Sequence, residues 1–435
     1  MLRFDLTNLN LPGNFASKLG RNAYHVLVEI HSVPSPALQY PLFSVANELL
    51  RAFSLFWGLS FMKIRLNGIT RILALASSYT VIVSVAHAQY VGSVLAPAGY
   101  GNTFGLGTSG SSQVGYGAHT ASGGDDHAIL WNGSASNYVD LNPVGFTNTF
   151  AYGGVAGVQV GSGDGAATGG NGHALMWTGT ANSYIDLNPT GFFGSVAAGA
   201  STNSQVGYGD NGDDGYHALM WNGTAASAVD LWSNAYGSTF AIAATNTNQY
   251  GYGGLSSGLF DHALMWSGSA ASVVDLNPNG FDHSYIIGAS GSDQMGYAVM
   301  SNGETHAGMW SNSASSFVDL NASGFLYSLG YGISSAGQVG YGAGTATNMS
   351  DHALYWNGSA GSVIDLHSAL AGFSQNFQSS YATGIDDNGD IVGYGYGSNG
   401  RGYALRWSNP VPEPASLAVL GLGLFGLIRR RTSRR

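Results

Sequence analysis

From Gln89 to Trp407 apolar and polar positions alternate in short runs that never lengthen into a helical stripe, and the runs recur with a period of about 45 residues. HALMW stands at His173, His217 and His262, with HAILW at His127, HAGMW at His306, HALYW at His352 and YALRW at Tyr403. The six histidines are 46, 44, 45, 44 and 46 residues apart. Trp131, Trp177, Trp221, Trp266, Trp310, Trp356 and Trp407 close the seven motifs. Thirteen residues after each histidine comes the aspartate of VDL or IDL: Asp140, Asp186, Asp230, Asp275, Asp319 and Asp365. That offset never slips, whereas the gap from each aspartate to the next histidine varies between 31 and 33. Two apolar, β-rich runs at fixed separation, joined by Asn-Gly or Ser-Gly, predict a β-hairpin. Length variation then falls in loops elsewhere in the unit.

Each unit holds two more runs, a small and apolar one such as GSVAAGAST and then QVGYG or a relative. Four short strands in about 45 residues predict one blade of an all-β propeller, with glycine and alanine where blades crowd toward an axis. A β-solenoid or a stacked sandwich is the alternative, although a solenoid coil needs only about 20 to 30 residues. The first unit offers YVGSVLAPAG where the others have VDLNPxGF, so ring closure is less plain than the repeat.

Composition narrows the chemistry. The chain has 66 glycines and no cysteine, which excludes a disulfide framework, a thiolate metal site and a cysteine nucleophile. Residues 72–400 contain no lysine or arginine, and residues 89–411 carry 19 Asp and one Glu against two Arg, a formal charge of −18. Such a surface repels nucleic acid and anionic lipid.

Residues 62–88 have a basic start (Lys63, Arg65, Arg71), an apolar run from Ile72 to Val85, and Ala86-His87-Ala88 before Gln89. This is the layout of a signal peptide, with its helix cleaved after Ala88 so that the mature chain begins at Gln89. Residues 1–61 carry no repeat unit and read as an extension upstream of the true initiator, Met62; the alternative is a cytoplasmic extension before an uncleaved anchor.

The H-A-x-x-W and G-Q-x-x-G-Y elements resemble the HAF extracellular repeats of bacterial secreted proteins. The resemblance implies a secreted, propeller-like body over residues 89–408 and names no ligand. A histidine or tryptophan present in every blade serves blade geometry more simply than catalysis, and the repeated aspartate reads as a turn or strand-end acceptor. Off-pattern residues are better candidates. DNGDDG (with Asp210 and Asp213) and DDNGD (with Asp386 and Asp390) resemble calcium loops in composition, but neither has the full spacing with a terminal Glu. Both also suit plain turns, and calcium is the only cofactor they suggest. Tyr116, Tyr208, Tyr252, Tyr297, Tyr341, Tyr394 and Tyr396 either pack between blades or stack on sugar rings. No local motif of nucleophilic catalysis is present, which points to a protein that is not an enzyme.

The tail, residues 409–435, holds VPEPASLAVLGLGLFGLIRRR. Its 14 apolar residues from Ala415 to Ile428 would span roughly 21 Å as a helix, short of a hydrocarbon core of roughly 30 Å. Pro412-Glu413-Pro414, the Gly-rich apolar run and Arg429, Arg430 and Arg431 resemble a PEP-CTERM sorting signal. That resemblance implies a transient inner-membrane anchor, an exosortase-type membrane peptidase as partner, and delivery to the cell surface or matrix of a Gram-negative bacterium that makes exopolysaccharide. An exported, non-enzymatic surface or matrix propeller associated with exopolysaccharide is the leading expectation. The rival is a lectin or polysaccharide-acting enzyme on the same scaffold, favoured if off-pattern acidic and aromatic residues cluster at one mouth of the ring.

Overall fold

The computed structural model describes residues 62–66, 69–73, 90–212, 215–256 and 261–408. Between Val91 and Ser408 seven four-stranded antiparallel sheets succeed one another as a seven-bladed β-propeller. Blade 1 comprises Tyr100–Ser109, Ser112–His119, Asp126–Ser134 and Asn137–Asp140, from the axis to the rim. The innermost strands of blades 2 to 7 are Asn148–Val155, Gly194–Ala200, Tyr236–Ala244, Phe281–Ser290, Tyr327–Ser334 and Phe377–Ile385. HAxxW forms the third strand of blades 1 to 6 and VDL the short fourth, with Leu219 opposite Asp230 in blade 3. Their connection is more than a tight turn. Gly223 takes a left-handed φ of 76° and a single 3-10 turn, Ala225–Ser227, follows it.

The seventh sheet takes its outer strand from the other end of the body. Val91–Val94 pairs antiparallel with Gly402–Ser408, Val91 opposite Ser408 and Val94 opposite Leu405. Leu95 N–H donates to Ala404 O at 2.8 Å, as Leu141 N–H does to Ala128 O in blade 1. The irregular stretch YVGSVLAPAG is therefore the fourth strand that the last repeat lacks, and its irregularity is what closes the ring.

Adjacent blades are joined by a bond repeated seven times. The alanine N–H of each HAxxW or YALRW donates at 2.9–3.1 Å to a buried hydroxyl on the innermost strand of the next blade, from Ala128 to Thr149 through to Ala404 and Thr103. The third strand needs this acceptor because the short fourth strand does not pair this N–H, and the alanine is fully buried. We expect Thr149→Val, which keeps the shape and removes the hydroxyl, to cost about 1–3 kcal/mol as a fall in urea midpoint, and Thr149→Ser to restore most of it. All seven repeat tryptophans are fully buried, each within an apolar cluster shared with a neighbouring blade.

The glycine of QVGYG answers to a bulge. In every blade the innermost strand slips register by one residue, as between Ala241 and Ala243, and the slip drives a carbonyl toward the second strand. A Cβ on Gly251 would lie 1.9 Å from Phe240 O, so no other residue fits without moving the ladder.

Met62–Leu66 and Ile69–Leu73 form a two-stranded antiparallel hairpin with Leu66 opposite Ile69. This corrects the expected signal helix over its first part: β-branched Ile64, Ile69, Thr70 and Ile72 flank Asn67-Gly68, a sequence suited to a hairpin. The apolar run after Leu73, the cleavage residues Ala86, Ala88 and Gln89, and the expected short C-terminal membrane helix lie outside the described residues. Among the described residues no helix is long and apolar enough to cross a membrane.

Candidate functional site

Each repeat histidine sits beside the aspartate thirteen positions on. Nδ1 of His127, His173, His217, His262, His306 and His352 lies 2.6–2.7 Å from Oδ2 of Asp140, Asp186, Asp230, Asp275, Asp319 and Asp365. A carboxylate only accepts, so Nδ1 carries the proton and Nε2 is free to accept, as His127 Nε2 does from Asn142 Nδ2 at 3.2 Å. The other aspartate oxygen accepts the backbone N–H two residues on, at 2.8 Å in all six blades. These pairs pin the outer strand and its exit loop. Blade 7 holds the same shape with Tyr403 and Val94 in their places.

Two blades depart from the Asn that follows VDL. Trp232 stacks on His217 with centroids 4.5 Å apart, and His367 stacks on His352 at 4.1 Å. His367 Nδ1 also lies 2.9 Å from Ser380 Oγ, the start of a nucleophile and base pair, but Ser380 is fully buried between blades. No substrate reaches it. Burial first, and the neighbouring His352 second, hold His367 below its ordinary pKa.

The inner strands of all seven blades surround a cavity of about 460 Å³ on the axis. Its wall is glycine, alanine and aliphatic side chains with Thr108, Thr383 and four tyrosines, Tyr152, Tyr208, Tyr331 and Tyr394. No carboxylate, imidazole or cationic group lines it. The tyrosine hydroxyls are the titratable groups of this wall.

Around one end of this cavity runs a belt of aromatic rings. The tyrosines singled out in sequence sit on the second strand of their blades, each opposite a residue early in the innermost strand: Phe104 opposite Tyr116, Phe240 opposite Tyr252, Tyr285 opposite Tyr297 and Tyr381 opposite Tyr394. Where the next blade also offers a ring the two meet edge to face, Tyr116 on Phe150 at 4.9 Å, Tyr208 on Phe240 at 5.0 Å and Tyr341 on Tyr381 at 4.8 Å. The belt breaks where Ser162, Val196 and Leu329 replace rings. Sequence alone does not show the belt, because its inner half is Phe, Val, Tyr or Leu by turns and only register aligns it.

Desolvation raises the phenols of the belt. Burial first, then the nearby Asp126, pushes Tyr116 from 10.0 to about 12, and burial does the same for Tyr208 and Tyr381. Their neutral form is favoured in the folded state, so this stabilisation is complete below about pH 10 and is lost as the unfolded chain ionises between about pH 10 and 12. A phenolate absorbance titration is expected to show these rings still protonated at pH 11, and the melting temperature falling over that window.

Of the calcium candidates, Asp210, Asp386 and Asp390 each have a carboxylate oxygen in use. Asp386 Oδ1 accepts the N–H groups of Asn388 and Asp390 at 2.9 Å, and Asp390 Oδ2 binds Arg406 Nη2 at 2.6 Å. Asp210 Oδ1 accepts Gly212 N–H at 2.8 Å, and Asp213 lies outside the described residues. Among the described residues no three His, Asp or Glu side chains are placed to hold a metal ion. Arg401 donates to the carbonyls of Gly101 and Tyr100 at 2.7 Å and lies over the Tyr403 ring.

Fold and site together define a seven-bladed β-propeller with an uncharged axial cavity and an aromatic mouth. Residues 410–435 match the PEP-CTERM protein-sorting motif, which an exosortase, a membrane protein, recognises, so the chain carries the address of a sorted, exported protein with transient membrane anchoring. Among solved structures the chain is similar to a puromycin hydrolase (11% identity over 73% of this chain and 55% of that one, TM-score 0.45). It is also similar to the Pyrococcus horikoshii acylaminoacyl peptidase (9%, 66% and 48%, TM-score 0.39) and a Mycobacterium tuberculosis puromycin-hydrolyzing peptidase (11%, 69% and 60%, TM-score 0.36). The matched region spans about half the length of these proteins. No curated protein matches the chain.

Proposed function

We propose that this chain is a non-enzymatic propeller of the cell surface or extracellular matrix, associated with exopolysaccharide. In this reading residues 62–88 direct export and are removed after Ala88, and an exosortase-type peptidase then processes the chain at Pro412-Glu413-Pro414. The observation that carries the non-enzymatic part is the axial cavity, whose wall offers no carboxylate, imidazole or cation to partner its tyrosines. The His–Asp pairs do not replace them, since they recur around the ring and are occupied in holding strand ends. The test is fractionation of the native host combined with hydrolase assays on the recovered protein. Surface or matrix protein without turnover of glycoside, ester or peptide substrates is the expected result. Turnover abolished by a substitution in the cavity wall, such as Tyr331→Phe, would overturn the non-enzymatic reading.

A further inference from the structure

We propose that the part of the aromatic mouth spanning blades 7 and 1 binds an uncharged polysaccharide chain; the inference rests on the surface-or-matrix reading for where such a chain is met. Tyr381, Tyr394, Phe104 and Tyr116 follow one another around the mouth at centroid separations of 4.8, 5.2 and 5.2 Å. Tyr396 stands beside them, 38% exposed, against Phe104 and Tyr394. Blade packing does not require these rings, since blades 2, 3 and 6 fold with Ser162, Val196 and Leu329 at the corresponding positions. Rings kept where the fold does without them are free to serve a ligand.

Blades 4 and 5 carry a like run, Phe240, Tyr252, Tyr285 and Tyr297, but Gly254 and Val299 stand where blade 7 has the exposed Tyr396. Asp351 precedes the histidine of blade 6 and accepts the hydroxyls of Tyr381, at 2.8 Å, and Tyr327, as Asp261 of blade 4 accepts that of Tyr285, while Gly172 and Thr305 fill the same position in blades 2 and 5. Asp126 occupies it in blade 1, beside Tyr116. A carboxylate that accepts a phenol can accept a sugar hydroxyl in the same way. Pyranose rings offer apolar C–H faces to the aromatic rings and hydroxyls to the carboxylates, so a sugar chain matches both halves of the surface at once.

Charge decides which sugar chain. Arg401 and Arg406, the two cations of the propeller, are spent on Gly101, Tyr100 and Asp390, which leaves an acidic polymer nothing to pair with against a formal charge of −18. The ligand is uncharged, and its binding is insensitive to salt.

The experiment is affinity electrophoresis and calorimetry of the full exported protein, recovered from its host, with hydroxyethylcellulose, galactomannan and dextran as uncharged probes and polygalacturonate as the acidic one. At least one uncharged polymer should retard the protein equally at low and high salt, and polygalacturonate should not. Tyr396→Ala should weaken binding about tenfold without lowering the melting temperature, and Tyr216→Ala, on blade 3, should leave it unchanged. If Tyr396→Ala lowers the melting temperature, Asp126→Asn takes its place, with the same tenfold loss expected. Binding to none of the uncharged polymers, preference for polygalacturonate, capture of unmodified peptides instead, or full binding by the variants each overturns the site. These results leave the surface reading standing if the protein is still found outside the cell; sugar binding by a protein that never leaves the cell overturns the surface reading alone.

Discussion

A chain that starts at Ala96, without Val91–Leu95, is expected to melt roughly 10 °C or more below the intact propeller and with a broader transition. The truncation removes the strand facing Gly402–Ser408 and exposes the seventh blade's third strand along its length. It also removes Leu95, which is fully buried with Ile129, Trp131 and Val392 where the last blade meets the first. Losing that side chain alone costs about 2–5 kcal/mol. Each blade buries its apolar face only against its neighbours, so an open seventh blade weakens the interfaces on both sides of it. Leu95→Ala separates the two effects, because it empties the cluster and keeps the strand. A cysteine pair made by Val91→Cys and Ser408→Cys, in a chain with no other cysteine, should raise the melting temperature when oxidised, since the two positions face each other across the ladder. Calorimetry on the three variants decides the matter. A truncated chain that melts as sharply and as high as the parent would show that closure contributes nothing to stability.

The closing strand marks the limit of what the sequence discloses. The blade was legible because HAxxW and VDL are rigidly spaced: they are paired strands, and any inserted residue would turn Leu219 or Asp230 to the wrong face. Length variation from 31 to 33 residues falls on the long return to the next blade, where a loop absorbs it. The closing strand hides because VGSV shares only its spacing from Leu95 and Pro97 with VDLNP, and its partner lies more than 300 residues away. The repeated aspartate reads as a backbone acceptor from sequence, and one oxygen is that; the pairing of the other with histidine needs the hairpin register to become visible. The buried hydroxyls that join the blades, Thr149 and Ser284 among them, are single Ser or Thr residues in a chain full of them. Only their constant offset of 21 residues after the alanine, kept in blades 1 to 5, could have marked them out.

Processing at the C-terminus should fail completely when Pro412-Glu413-Pro414 is replaced by Ala-Ala-Ala, while membrane targeting survives. The replacement leaves the 14 apolar residues and Arg429, Arg430 and Arg431 in place, so the positive-inside bias that orients the segment is unchanged. The expected product is a full-length, membrane-bound form with little protein at the surface. Geometry adds a constraint. The last strand ends at Ser408, and Pro412 is four residues further on, so even a fully extended chain places it no more than about 14 Å from the closing blade. The peptidase must therefore act against the folded body or wait on its closure. Inserting a flexible Gly-Ser segment after Ser408 should quicken processing if the body obstructs the site, whereas the Ala-Ala-Ala chain should stay unprocessed with or without it. Deleting Arg429–Arg431 acts through orientation and retention, and should release unprocessed protein instead of holding it in the membrane. Mass spectrometry of the C-terminus of tagged protein, fraction by fraction in the native host, distinguishes all three. Intact tails on wild-type surface protein would refute the sorting route.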